Sequence, residues 1–112
     1  MIKIGNDVFI EDYIKQFQIK STEGKVRFYF SDRTIKDFPD DYNLTRPIDN
    51  LLEYGFIQVD DIYINPYLIK GFRNVGDGTI KVYFPDTTSA TLYLDDDAFE
   101  DLVAYFSGGK NN

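Results

Sequence analysis

Histidine, cysteine and tryptophan are all missing from these 112 residues. Without histidine the chain lacks the commonest general base, the Ser-His-Asp and Cys-His nucleophile systems and the commonest metal ligand. With cysteine missing as well, a disulfide scaffold is excluded and a zinc centre is close to excluded, because zinc takes Cys or His in nearly all its protein sites. No apolar run approaches the ~20 residues that a membrane helix needs. The start, Met1-Ile2-Lys3-Ile4-Gly5-Asn6-Asp7, turns polar at once and has no signal-peptide layout. Neither glycine pattern that cradles phosphates is present, and Gly76-Asp77-Gly78 reads as a hairpin turn. These gaps predict a cytoplasmic protein that is not an enzyme, with no catalytic residues, no cofactor and no metal.

Two features are in excess. Asp and Glu number 19 against 12 Lys and Arg, a net charge of −7, which repels nucleic acid and favours a basic partner. Phe and Tyr make up 17% of the chain, and so many rings must serve as core or as contact surface. The carboxylates gather at Asp60-Asp61 and at Asp95-Asp96-Asp97 with Glu100 and Asp101. Neither group has the alternating ligands and central glycine of a calcium loop. Adjacent strand residues also point to opposite faces, so Asp60 and Asp61 should not converge on one ion. Helix capping accounts for the second group.

The chain repeats itself. Ile2-Lys3-Ile4 matches Ile57-Gln58-Val59, and Asp7-Val8-Phe9-Ile10 matches Asp61-Ile62-Tyr63-Ile64. Tyr13-Ile14-Lys15-Gln16-Phe17 returns with one insertion as Tyr67-Leu68-Ile69-Lys70-Gly71-Phe72. Gly24 to Asp32 parallels Gly78 to Asp86, and Ile48 to Tyr54 parallels Phe99 to Tyr105. Five blocks in one order predict a tandem, pseudo-symmetric α+β fold, each copy several antiparallel strands followed by one short helix. Residues 1–55 would form copy one and 56–106 copy two of a single compact domain, with 107–112 a flexible tail. Thr45 is the expected cap of the first helix and Pro47 lies in its first turn. Asp97-Ala98-Phe99-Glu100 has capping-box spacing for the second helix, on which Phe99, Leu102, Val103 and Phe106 share a face.

The second copy resembles the short FlbD-type module of flagellar and swarming-motility proteins. The resemblance is carried by Ile62-Tyr63-Ile64-Asn65-Pro66-Tyr67-Leu68-Ile69, by Thr79 to Asp86 and by the acidic-capped segment Phe99 to Phe106. It implies a strand–strand–helix unit over about half the chain and transfers no catalytic residues.

Alternation sorts the strand residues into two faces. Val8, Ile10, Phe28, Phe30, Ile62, Ile64, Val82, Phe84, Leu92 and Leu94 are the expected core, and Phe9, Arg27, Tyr29, Tyr63, Lys81, Tyr83 and Tyr93 the opposite face. That aromatic face is either buried between the copies or in a homodimer, or exposed as a protein contact surface in which Tyr29, Tyr63, Tyr83 and Tyr93 take part. Asp40, Asp41, Asp96 and Asp97 offer a second partner-binding set. The leading expectation is a non-catalytic protein-interaction or regulatory protein. The alternative is an acidic inhibitor, of the kind phages and mobile elements carry, that mimics nucleic acid to block a basic host protein. Either way the partner is another protein, with direct nucleic-acid binding and a membrane disfavoured.

Overall fold

The computed structural model describes residues 1–40, 43–93, 100 and 102–104. Strands β1 (Ile2–Ile4) and β2 (Asp7–Phe9) form a hairpin, and a 3-10 turn at Glu11–Tyr13 leads into β3 (Ile14–Lys20), β4 (Lys25–Phe30) and β5 (Ile35–Pro39). Helix α1 (Thr45–Tyr54) follows. The chain then runs through β6 (Ile57–Val59), β7 (Ile62–Ile64), a 3-10 turn at Pro66–Leu68, β8 (Gly71–Gly76), β9 (Thr79–Tyr83) and β10 (Ser89–Tyr93). Glu100 and residues 102–104 are helical. The remainder of the second predicted helix, its Asp95–Asp97 lead, Leu94 and the tail 107–112 lie outside the described residues. Among the described residues the architecture is α+β: antiparallel strands in three sheets, with helix α1 and short helical turns.

The sheets run β1-β2, β5-β4-β3-β7-β6 and β10-β9-β8. Tight turns set their registers. Asp77 and Gly78 between β8 and β9 both have positive φ, 56° and 72°, the left-handed pair that suits the twist of a two-residue hairpin. Two longer corners share one design. Asp32 accepts hydrogen bonds from the Thr34 N–H and hydroxyl, as Asp86 does from those of Thr88. The intervening Arg33 and Thr87 each have φ of 73°.

Two hydrophobic clusters fill the space between layers. In the first, Ile2, Ile4, Phe17, Val26, Phe28, Phe38, Leu51, Phe56 and Tyr63 are buried, with Phe9 and Ile48 packed against them. Phe17 stacks on Phe28 at 5.1 Å and on Tyr63 at 4.4 Å between ring centroids, distances at which aromatic pairs contribute about 1 kcal/mol beyond their area. The second cluster holds Ile64, Ile80, Val82, Phe84, Leu92 and Leu102, with Ile57, Val59 and Ile62 against it. Strand β7 serves both: Tyr63 faces the first cluster, and Ile62 and Ile64 face the second.

The first hairpin corrects the expected faces. Val8 and Ile10, predicted for the core, are 52% and 45% exposed. Phe9, predicted for the opposite face, packs against Phe28, Phe30 and Phe38 with ring centroids 5.2–6.3 Å apart. The cause is register. The two-residue Gly5-Asn6 turn pairs Ile2 with Phe9 and Ile4 with Asp7, so Phe9 shares the inward face of the two isoleucines, and a shift of one residue reverses every side chain on a strand. The start of α1 is also corrected. Thr45 is its first helical residue and Leu44 holds the cap position, while the Asn43 side chain accepts the Thr45 N–H at 3.3 Å. Among the described residues, no helix is long and apolar enough to cross a membrane.

Candidate interaction surface

The outward face of β8-β9-β10 brings together two of the expected contact residues, Tyr83 and Tyr93. On β9, Ile80 and Val82 point into the second cluster, which leaves Thr79, Lys81 and Tyr83 on the other side. Pairing places Arg73 and Thr91 on either side of Lys81, and Gly71 and Ser89 on either side of Tyr83. Tyr93 ends β10 on the same face at 73% exposure. The Lys81 ammonium lies 5.8 Å from the Tyr83 ring centroid, within range of a cation–π contact.

The corresponding face of β4 is arranged differently. Arg27 grips Asp37 on β5 through two hydrogen bonds of 2.8 and 3.1 Å, and Lys25 pairs with Glu23 and Asp37. The Arg27 guanidinium holds the Asp37 carboxyl below its usual range. On β10 the residue opposite Lys81 is Thr91, so no carboxylate is available there. Among the described residues, Lys70, Arg73 and Lys81 form no ion pair. Among the described residues, Arg73 and Lys81 thus lie without a neutralising carboxylate beside two phenol rings on one small sheet, with Lys70 just ahead of β8. Chemically, that set binds carboxylates and apolar side chains.

The other expected residues are dispersed. Tyr29 lies half-buried on the outward side of β4, opposite Gln16 and Ile35. Tyr63 takes the buried alternative: it is 6% exposed, and burial raises its phenol above the usual range. Asp40 is exposed beside a hollow lined by Ile19, Val26, Leu44, Thr45, Ile48 and Asp49, well removed in sequence and sheet from Tyr83 and Tyr93. Asp41, Asp96 and Asp97 lie outside the described residues.

No family model matches this chain, and neither does any curated protein or solved structure.

Two polar joints were not found by sequence reasoning. The Lys15 ammonium, on a residue only 4% exposed, donates to Asp86 Oδ2 and to the Thr88 hydroxyl, each at 2.6 Å. It also lies 5.3 Å from the Phe84 ring centroid. Burial pushes the Asp86 carboxyl up, but the bonds from Lys15 and Thr88 outweigh it and hold the group at about 2. Asn65, fully buried, accepts the Tyr67 N–H at 3.0 Å and donates to the Ile14 carbonyl at 3.0 Å and to that of Glu11 at 3.3 Å. Both joints tie β3 to the second half of the chain. A lysine inside a strand and an Asn-Pro pair are ordinary in a sequence, and only the pairing of β3 with β7 reveals their role. Among the described residues, no three His, Cys, Asp or Glu side chains are grouped to hold a metal ion.

Proposed function

We propose that this chain is a non-catalytic protein-interaction protein, built from two copies of one unit, which docks its partner on the outward face of β8-β9-β10. The observation that carries the reading is the cluster of Lys70, Arg73, Lys81, Tyr83 and Tyr93, unneutralised among the described residues of a chain with net charge −7. Such a cluster favours a partner segment bearing carboxylates, and Tyr and Arg are the residues that most often dominate binding energy.

Several features support the duplication. A hairpin, a 3-10 turn, three antiparallel strands and helical residues follow each other in the same order in each half. The Asp32–Thr34 and Asp86–Thr88 corners carry the same hydrogen bonds, including Phe30 N–H to Thr34 O and Phe84 N–H to Thr88 O at 2.9 and 3.0 Å. The matched hairpins align best by their two-residue turns, Gly5-Asn6 with Asp60-Asp61. That alignment sets Phe9 against Ile64, Val8 against Tyr63 and Asp7 against Ile62, one residue further along than the sequence match. The FlbD-type likeness belongs to the same reading, as a strand–strand–helix unit used twice.

Photo-crosslinking tests the docking face. A benzophenone amino acid at position 93 or 73 is expected to give protein adducts in cells, and the same group at position 53, on the exposed side of α1, is expected to give few. Equal yields at all three positions, or none at 93 and 73, would refute the assignment of the face.

A further inference from the structure

Helix α1 separates two hollows of opposite charge. On one side Asp40 and Asp49 share a hollow with Ile19, Val26, Leu44 and Ile48, and among the described residues no cation lines it. On the other side a hollow of about 450 Å³ is lined by Lys3, Asn43, Arg46, Pro47 and Asn50, with no carboxylate among them. Arg46, Pro47 and Asn50 follow the three-and-four spacing of one helical face, and Lys3 comes from β1, the strand that lies against α1.

We propose that this second hollow is a binding site for the phosphate group of a small phosphate monoester. It uses none of the residues of the docking face on β8-β9-β10, and it stands or falls without that face.

Charge marks the hollow first. Every other cation of residues 1–55 is engaged: Lys15, Lys20, Lys25, Arg27 and Lys36 in ion pairs, and Arg33 on the Asp86 carbonyl. Lys3 and Arg46 are exposed, and among the described residues neither enters an ion pair. In a chain of net charge −7, the two cations that its first half leaves unpaired line one and the same hollow. They set up a local positive field against the sign of the molecule.

The neutral groups add donors. The Asn43 side-chain oxygen accepts the Thr45 N–H, which leaves its NH2 group to donate. Asn50 is half-buried, and among the described residues its amide has no hydrogen-bond partner. The helix backbone is not the source of the site, since Pro47 has no N–H and that of Thr45 is taken by Asn43. A guanidinium fork and a lysine point charge are the usual holders of phosphate. Two full charges and two amides suit a dianion with three terminal oxygens, which a phosphate monoester presents near neutral pH. A carboxylate brings one charge on two oxygens and fills only half of that set. The volume falls within the roughly 300–1,000 Å³ of small-ligand pockets. Buried Pro47 and the stems of Lys3 and Arg46 offer the organic part of the ester an apolar wall. A polyanion such as nucleic acid would meet the repulsion of the whole chain, which a small ester escapes.

An amide-resolved NMR titration of the full chain with phenyl phosphate, at constant ionic strength, tests this. Saturable shifts are expected at Lys3, Asn43, Arg46 and Asn50, and not at Arg73 or Lys81. Arg46→Gln and Lys3→Gln are each expected to weaken binding by at least about ten-fold. Lys20→Gln removes the same charge from the pair with Glu23 and is expected to leave the affinity within about two-fold, because salt screens so distant a charge. Both substituted cations are exposed, and the amide spectrum of each variant reports that the fold is kept. Benzoate, the same ring with a carboxylate, is expected to bind at least about ten-fold more weakly than phenyl phosphate. Inorganic phosphate is expected to move the same four amides with lower affinity, since it leaves the apolar wall uncovered. No saturation by roughly 10 mM ligand, shifts shared equally with Arg73 and Lys81, an affinity that ignores Arg46→Gln, or equal binding of benzoate would each overturn the proposal. Inorganic phosphate binding as tightly as the ester would overturn the choice of an ester.

Discussion

Removing the charge of Lys15 is expected to destabilise the protein far more than removing any other cation. The ammonium and the Asp86 carboxylate have side chains only 5% and 11% exposed and lie 2.6 Å apart. Lys15→Met keeps the apolar stem and deletes the charge, leaving a carboxylate in a site shaped for a pair. Uncompensated buried charges of this kind cost about 3–5 kcal/mol. Asp86 keeps its bonds from Thr88, so the lower end applies, about 3 kcal/mol. With an m-value of roughly 1.3 kcal/mol per molar urea for a chain this size, the midpoint should fall by about 2 M. Asp86→Asn retains an acceptor for the Thr88 N–H and should cost a similar amount. The double variant should then cost less than the two singles together by about 2 kcal/mol. Acid adds a second arm. A carboxyl held at about 2 instead of 3.8 contributes roughly 2 kcal/mol at neutral pH. Its folded value is depressed, so the contribution is full above pH 4 and is lost as pH falls through 2. The gap between wild type and Asp86→Asn should narrow over that window. Additive single variants in urea, or a gap that ignores acid, would refute the account of this joint.

Three further outcomes follow from the packing. Asn65→Ala leaves the buried Ile14 carbonyl and Tyr67 N–H without their side-chain partner and should cost about 2–3 kcal/mol by chemical denaturation. Gly55 ends α1 with φ of 129°, and a Cβ there would lie 3.1 Å from the Tyr67 ring; Gly55→Ala should lower the melting temperature by an amount equivalent to about 1–3 kcal/mol, and Tyr67→Ala in the same chain should recover only the steric part. Asp37→Ala breaks the bidentate contact with Arg27, but on an exposed sheet face the cost should stay below about 1 kcal/mol, read from the urea midpoint.

The α+β class, the turn at Asp77-Gly78, and the inward set of β4 and β9 were legible in the sequence. Each depends on short-range chemistry: a positive φ or an alternation of period two. The faces of the first hairpin were not legible. Asp7-Val8-Phe9-Ile10 and Asp61-Ile62-Tyr63-Ile64 match letter for letter in type, but the pairing is set by the turn, and Gly5-Asn6 places the strand one step away from that match. The sequence left Tyr63 open between burial and exposure. Its burial comes from β3, a strand more than forty positions earlier, and no local pattern carries that. Nothing in the sequence singled out Lys15, because its acceptor Asp86 belongs to the other half of the chain. The cation cluster at Arg73 and Lys81 was only partly visible: the residues were plain, but the absence of a carboxylate opposite them appears only once Thr91 is set in register.

Strand β7 gives its tyrosine to one core and its isoleucines to the other. A segment claimed from both sides cannot let go of one without exposing the other, so neither half of the chain holds an intact interior alone. Heat or denaturant should therefore meet a single cooperative transition rather than two separate meltings. A backbone cut in the short stretch between α1 and β6 would sever the chain while leaving that clasp in place.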